Sequence, residues 1–541
     1  MKHVGVNVAA DALFYVAMTG IEAGLVIISA DDPSMHSSQN EQDNRQFAKF
    51  TRIPCLDPAD SQEAKDFTIA AYQISEQFDT PVLLRMTTRV CHTSSPVEVA
   101  EQQIDLPEAR KFPRNIAKYV MIPANARKRH PVIEGRISDL SRFAETFEFK
   151  RIEYRKKDLG IITGGVAYQY AREVFPEASI LKLGMVYPLP AQLIQSFCDN
   201  VDKVIVLEEL DPFIEDQVRL LGVELYRPNE QSVDGFAHTK SIFPIIGELN
   251  PVVVRKAAEK AGLLEKTNDP ERKRINLELP ARPPTLCPGC PHRSTFYILS
   301  KFKVPVNGDI GCYSLGVAPP LSSIHTTGCM GASIGVAHGA AVAGDAERHI
   351  AVIGDSTFFH TGIPALINVA YNRSDVITII MDNRVTGMTG HQDNPGTGFT
   401  LQNQPTIELD IEKLVRACGI EKVLTVPAFE VNTIEKTIKQ WMREEGPAVL
   451  ITKEECALLP SARKKYIPLL VTDQCNGCTI CFKVGCPAIL KSEKLDPKYN
   501  RPLAVIDQEL CTGCEICAQV CPRDAILFRD QMINLEKAVE V

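Results

Sequence analysis

No stretch of about 18 consecutive apolar residues occurs in this chain, so no α-helical membrane span is written into it. An excess of basic charge is missing too. Fifty-nine Lys and Arg stand against 67 Asp and Glu, for a net charge of −8, and the broad basic footprint that nucleic acid needs is absent. The one local basic run, Arg127, Lys128, Arg129 and His130, reads as a solvated loop. The opening MKHVGVNVAADALFYVAMTG has too short an apolar stretch and no small-residue cleavage site, so it does not read as a signal peptide. What remains is the composition of an ordinary globular protein, 45% apolar and 23% charged. At 541 residues the chain exceeds what one hydrophobic core sustains, and several domains are expected.

Cysteine, by contrast, is plentiful. Seventeen cysteines in a small secreted chain would mean disulfides, but here they cluster in metal spacings in a large one, which points to a reducing, oxygen-poor cytoplasm. The last seventy residues carry Cys475-x2-Cys478-x2-Cys481-x4-Cys486-Pro487 and then Cys511-x2-Cys514-x2-Cys517-x3-Cys521-Pro522. That double pattern is the signature of a domain holding two [4Fe–4S] clusters, and no common zinc module repeats it. In the interleaved arrangement of small two-cluster ferredoxins, the fourth cysteine of each run serves the other cluster. One cluster then takes Cys475, Cys478, Cys481 and Cys521, the other Cys511, Cys514, Cys517 and Cys486. Such a domain conducts electrons, so the rest of the chain must hold their source.

Periodicity divides that rest into α/β units. Residues 1–145 read as one, with strands at 24–30 and 81–86 and a helix at 60–78. The polar loop from Asp31 is either a site wall at a strand end or an ordinary surface loop. A charged, Pro-containing connector is expected over about 100–156. A second unit spans 146–275, with strand, glycine turn and helix over 159–175 and a buried strand over 203–210. Its Thr163-Gly164-Gly165 turn lacks the full dinucleotide spacing and reads as structural. A linker follows at 265–284. A third unit, 285–465, precedes the cysteine-rich 466–541.

The third unit is the most informative. Strand 349–353, a Gly-Asp turn, helix 362–371 and strand 375–381 put Asp355 and Asn383 just past two parallel strands. A right-handed crossover brings those ends side by side. A carboxylate, an amide oxygen and a nearby backbone carbonyl make a hard-oxygen site suited to Mg²⁺ on a phosphate ligand. Gly354 and Gly387 allow close backbone approach to a diphosphate. The same unit has Cys287-Pro-Gly-Cys290-Pro-His292 and Cys312 in GDIGCYSLG. Zinc, disulfide exchange and a third iron–sulfur cluster all use such a pair; beside eight committed cysteines a cluster is favoured, with Cys329 and Cys456 as positional candidates for the fourth ligand. Cys55, Cys91, Cys198 and Cys418 read as small buried side chains.

Asp355 and Asn383 at this spacing resemble the Mg²⁺–thiamine-diphosphate motif, with Ser356 where its last glycine usually stands. Together with CPGCPH, GDIGCYSLG, TTGCMGASIG and the terminal cysteine runs, the whole chain resembles the alpha subunit of indolepyruvate ferredoxin oxidoreductases. The resemblance implies open parallel sheets covered by helices, a multi-domain α/β thiamine-diphosphate-binding fold, with a C-terminal α+β ferredoxin domain. Residues 1–145 become its pyrimidine-binding-type domain, 146–275 a transketolase C-terminal-like domain and 285–465 the diphosphate domain. It also implies Asp355, Asn383 and the Val385 carbonyl on Mg²⁺, a third cluster on Cys287, Cys290, Cys312 and Cys456, and Cys329 near the cofactor. His292 is the leading candidate for a proton handler or diphosphate contact, ahead of His325, His360 and His391.

The activity so implied is oxidative decarboxylation of a 2-oxoacid with coenzyme A. Electrons would pass through the clusters to an external ferredoxin, and a beta subunit would be the partner. Pyruvate, 2-oxoglutarate or branched-chain substrates are the sister readings; a non-oxidative decarboxylase and a purely electron-transferring subunit are the others. In this family a glutamate against the aminopyrimidine ring resembles a residue lying shortly before the segment that begins here at Met1. The expectation is that this glutamate is not among the 541 residues, since Glu22 stands in the wrong context.

Overall fold

Short apolar runs ended by polar residues form the strands throughout. The computed structural model describes residues 1–99, 114–228, 241–266, 283–463 and 467–528. They fall into two units, Met1–Ile275 and Asn276–Val541. Most of the expected linker at 265–284 lies outside the described residues.

In the first unit β1 (Val26–Asp31) and β2 (Cys55–Leu56) flank β3 (Val82–Thr87) in parallel. A second sheet has β4 (Arg151–Glu153), β5 (Lys156–Gly164) and β6 (Ala178–Leu183). The chain then returns to the first sheet, where β7 (Met185–Tyr187) pairs antiparallel with β2, before β8 (Val204–Leu207) closes the second in the order β4-β6-β5-β8. Helix Ser61–Phe78 begins at Asp60, whose carboxylate accepts the Glu63 amide proton, a cap that satisfies one of the first-turn donors.

The connector expected over 100–156 is not irregular where it is described. Pro123–Thr146 forms a 24-residue helix. Ile133, Ile137, Leu140 and Ala144 recur at helical spacing and pack with Phe67, Leu84 and Phe147. Charged residues on the other face and Pro131 inside the helix masked that stripe. The basic run therefore lies on a helix rather than in a loop. Arg129 donates to the Met18 and Thr19 carbonyls at 3.1 and 3.0 Å and pairs with Asp79. The Thr163-Gly164-Gly165 turn is structural: Gly165 has φ +55°, and a Cβ there would lie 2.6 Å from Asp57 Oδ1.

The loop after β1 turns its charges inward. Arg85 pairs with Asp31 at 2.8 Å and Asp57 at 3.0 Å, while Arg45 pairs with Asp43 and with Glu208 at 2.6 Å, all of them buried. Glu209, beside them, accepts the Leu249 amide proton on one oxygen; its other oxygen is buried with no hydrogen-bond partner. Burial pushes its carboxyl up to about 7.

The second unit has a six-stranded, all-parallel sheet of β9 (Val306–Gly308), β10 (Thr326–Thr327), β11 (His349–Gly354), β12 (Val376–Asp382), β13 (Lys422–Pro427) and β14 (Ala448–Lys453), in the order β10-β9-β11-β12-β14-β13. β11 and β12 are buried at every residue, as strands covered on both faces must be. Two antiparallel pairs follow: β15 (Leu469–Val471) with β18 (Ile526–Phe528), and β16 (Ile489–Leu495) with β17 (Pro502–Ile506). This is the mixed α/β architecture expected, ending in a small cysteine-rich region. Among the described residues no helix is long and apolar enough to cross a membrane.

A carboxyl raised on folding holds its proton more tightly in the native state. The stabilisation that Glu209 contributes is therefore complete below its ordinary value of 4.5 and is lost as pH rises to about 7. Glu209→Gln is expected to leave stability nearly unchanged at pH 4 and to raise it by roughly 1–3 kcal/mol at pH 8, read from unfolding at both pH values.

Candidate active site and cluster pockets

Strand register builds the centre of the site. Gly354 stands opposite Met381, and Met381 opposite Thr452, so the chain leaves β11, β12 and β14 at one level. Asp355 follows the first strand, Asn383 the second and Cys456 the third. The ends are tied together: the Glu454 amide donates to the Asp382 carbonyl and the Cys456 amide to the Asn383 carbonyl, each at 3.0 Å. Gly354 is closed in by Tyr313, whose ring would lie 2.5 Å from an added Cβ.

A carboxylate, a side-chain amide and a backbone carbonyl converge at this edge. The Asn383 side-chain amide lies against Asp355 Oδ1 and the Val385 carbonyl oxygen, and with its nitrogen toward them it donates to both, at 3.2 and 2.7 Å. A carboxylate, an amide able to turn its oxygen inward and a backbone carbonyl are donors of the hard-oxygen type. The other Asp355 oxygen accepts from Asn394 Nδ2 at 3.0 Å. Burial, reinforced by neighbouring Asp382, pushes the Asp355 carboxyl up to about 7, and Asp382 is raised by burial as well. Ser356 accepts from the Thr386 hydroxyl at 2.9 Å. A Cβ on Gly387 would meet Asn383 and Cys312 Sγ, each at 3.6 Å, so the loop is close to both the oxygen set and a thiol.

The thiols gather beside it. Cys290 has Cys287 and Cys312 as charge neighbours, Cys312 has Cys456 and Cys287, and Cys456 has Cys287 and Asp355. Of the two positions considered for a fourth ligand, Cys456 stands with this group. Cys329 is exposed on the turn before helix Ala332–Val342. Burial pushes Cys290 up to about 12. His292 is 3% exposed, packs edge-on to Tyr313, and is pushed down to about 4 by burial, so its ring is held neutral. His325 Nδ1 accepts the Val306 amide proton, and His391 is exposed with φ +63°. Burial lowers His360.

In the terminal region, Cys475, Cys478, Cys481 and Cys521 line a single pocket. Cys517 has Cys514, Cys486 and Cys511 as nearest charge neighbours. Both sets are the interleaved ones. Among the described residues no three His, Cys, Asp or Glu side chains close on one point as a single ion requires.

Residue reading missed several contributors. Asn394 sits in a loop signalled only by the turn sequence Asp393-Asn394-Pro395-Gly396. Asp309 is fully buried and accepts the Ile310, Gly331 and Ser333 amide protons, fixing the start of the helix after Cys329. Arg293 is buried too, next to His292 in sequence. Glu22 is paired with Lys118 and Tyr119 at the surface of the first unit.

Strand-end oxygens against grouped thiols describe a thiamine-diphosphate and iron–sulfur oxidoreductase, and family models agree. Residues 309–452 match the thiamine pyrophosphate enzyme C-terminal TPP-binding domain, and 504–527 a 4Fe-4S binding domain. Residues 4–154 match the thiamine-diphosphate-binding domain of pyruvate flavodoxin/ferredoxin oxidoreductases, and 174–279 an indolepyruvate oxidoreductase domain. The indolepyruvate oxidoreductase subunit IorA of Archaeoglobus fulgidus is 39% identical over 97% of this chain and 85% of its own length. That of Pyrococcus horikoshii is 40% identical over 96% and 84%. The 2-oxoglutarate synthase subunit KorB of Archaeoglobus fulgidus is 27% identical over 32% of this chain and 70% of its own. The chain belongs to the indolepyruvate oxidoreductase subunit IorA family. It is a thiamine-diphosphate-dependent 2-oxoacid:ferredoxin oxidoreductase that moves electrons through iron–sulfur centres.

One contact locks the Cys287–Cys290 loop against the terminal region. Gly289 has φ +68°, and a Cβ there would fall 2.1 Å from Thr512 Oγ1. Gly289→Ala is expected to cost about 1–3 kcal/mol through overpacking alone. Adding Thr512→Gly should recover the steric part and leave the backbone strain, measured by unfolding of the two variants.

Proposed function

We propose that this chain, with a beta subunit, oxidatively decarboxylates arylpyruvates, indolepyruvate among them, in a reducing cytoplasm. The balance is one 2-oxoacid and one coenzyme A giving an acyl-CoA, CO₂, a proton and two electrons, which two molecules of external ferredoxin accept. Bound thiamine diphosphate supplies the carbanion chemistry that cleaves a 2-oxoacid; the protein supplies position, electrostatics and an exit for electrons. Asp355, Asn383 and the Val385 carbonyl are the residues for Mg²⁺, and Gly354, Ser356 and Gly387 line the approach to the diphosphate. Asn394 orients the Asp355 carboxylate by donating to it. His292, buried and neutral, is a donor or acceptor near the cysteine loop rather than a titrating acid. Cys329 belongs to the exposed turn that would face the cofactor.

The observation that carries this reading is the tether between the site and a set of thiols: the Cys456 amide donates to the carbonyl of Asn383. A cluster on Cys287, Cys290, Cys312 and Cys456 would stand directly against the oxygen set. Two further clusters, on Cys475, Cys478, Cys481 and Cys521 and on Cys511, Cys514, Cys517 and Cys486, would carry electrons onward. Each cluster accepts one electron, so a series of them fits a two-electron oxidation whose acceptor takes one at a time. On the same reading, 1–145 is the pyrimidine-binding-type domain, 146–275 the transketolase C-terminal-like domain, 285–465 the diphosphate domain and 466–541 the ferredoxin domain.

Anaerobically purified protein is expected to hold about twelve irons per chain, falling to about eight in Cys287→Ser, because each cube holds four. An iron content unaffected by Cys287→Ser would remove the third cluster. With the beta subunit present, ferredoxin reduction is expected to be faster with indolepyruvate and phenylpyruvate than with pyruvate; pyruvate ahead by a wide margin would defeat the substrate assignment.

A further inference from the structure

Arg293 is 1% exposed, and its guanidinium is held entirely by backbone carbonyls. Nη2 donates to Leu286 O at 2.5 Å and Cys287 O at 2.9 Å; Nη1 donates to Val484 O at 3.1 Å and Gly485 O at 2.5 Å. The first two carbonyls belong to the Cys287–Cys290 loop, and the last two immediately precede Cys486. Among the described residues no carboxylate pairs with it. Nε is buried and finds no protein acceptor. Its charge acts on both sides: it pulls against the burial that raises Cys290 and against the burial that raises Cys514.

A buried cation with no counter-charge is expensive, since carbonyl dipoles solvate it without neutralising it. Arginine is the side chain that tolerates such a place, with a fixed planar fork and a charge it does not lose. What would balance it is negative charge arriving on either side, and a four-iron cluster with four thiolate ligands is an anion that becomes more negative on reduction. Net charge and hydrogen bonds to sulfur are among the levers that set cluster potential.

We propose that Arg293 is the positioning and potential-setting residue between two clusters, those of Cys287, Cys290, Cys312 and Cys456 and of Cys511, Cys514, Cys517 and Cys486. Its carbonyl fork holds the two ligand loops at a fixed separation. Its charge stabilises the reduced form of each cluster, and Nε–H is the donor left for a sulfur. The inference rests on the third-cluster reading above, and the iron content of the wild type and Cys287→Ser tests that reading separately.

The test is an anaerobic redox titration, followed by electron paramagnetic resonance, of the complex with its beta subunit in wild type, Arg293→Met and Arg293→Lys. In Arg293→Met the midpoint potentials of the two flanking clusters are expected to fall, while that of the Cys475, Cys478, Cys481 and Cys521 cluster stays in place. Arg293→Lys, which keeps the charge, should restore most of the shift. Unchanged potentials in an iron-replete Met variant, or an equal shift of all three, would overturn the electrostatic role. Should the Met variant lose iron, the Lys variant decides: full iron with wild-type potentials supports the proposal, and lost iron or shifted potentials overturn it. An iron content that Cys287→Ser does not lower would show that the reading beneath the inference had failed.

Discussion

Parallel pairing of β11, β12 and β14 is the constraint on which the second unit depends. Each strand is apolar along its length and covered on both faces, so its register is fixed by burial, and a slip would turn its side chains out of place. Because all three run the same way, their carboxyl ends share one edge, and the residues after them need no further machinery to meet. A carboxylate, an amide and a thiol are delivered there from positions spread over about a hundred residues of sequence. Open α/β sheets place ligands at such edges for the same reason. Here the edge also carries the hydrogen bond from Cys456 to Asn383, so the donor set for a cation and the thiol group beside it are parts of one backbone arrangement.

The two units solve the problem of buried guanidinium groups differently. In the first, Arg45 and Arg85 are surrounded by Asp31, Asp43, Asp57 and Glu208, and their charge is more than matched. A network of that kind fixes a loop against a sheet, and burial raises the Glu208 and Glu209 carboxyls to about 7 although Arg45 and Arg85 pull them down. In the second, Arg293 touches carbonyl oxygens alone. Its positive charge is left over. The surplus makes sense only beside anions, and the cysteine loops that it joins are where anions would be.

How much of this was legible depended on whether the signal was local. Strand ends fell within a residue or two of expectation over β11 and β12, because each is a short apolar run closed by a polar residue or turn. Asp355 and Asn383 could be read for the same reason: their position is a property of the strand that each follows. The helix Pro123–Thr146 was missed because Pro131 and a charged outer face outweighed a four-residue apolar stripe. Asn394 carries only the sign of its turn sequence, and Arg293 none. Each is defined by a partner far away in the chain, Asp355 for one and the Val484 and Gly485 carbonyls for the other. Choosing Cys456 over Cys329 as a neighbour of Cys287 likewise depends on where β14 ends in space.

The features of the second unit that are unfavourable in the protein alone share one direction. Cys290, Cys481 and Cys514 are raised by burial to values between about 11 and 12, so as thiols they are far from the thiolate form that binds iron. Asp355 is raised to about 7, and Arg293 lacks a counter-charge among the described residues. A cation beside Asp355 would favour its ionised carboxylate. Iron at the thiols favours thiolates, and the resulting anions balance Arg293. On the reading proposed above, each loaded group would relieve a cost that another part of the unit carries, which would tie cofactor loading to folding as it does in smaller metalloproteins.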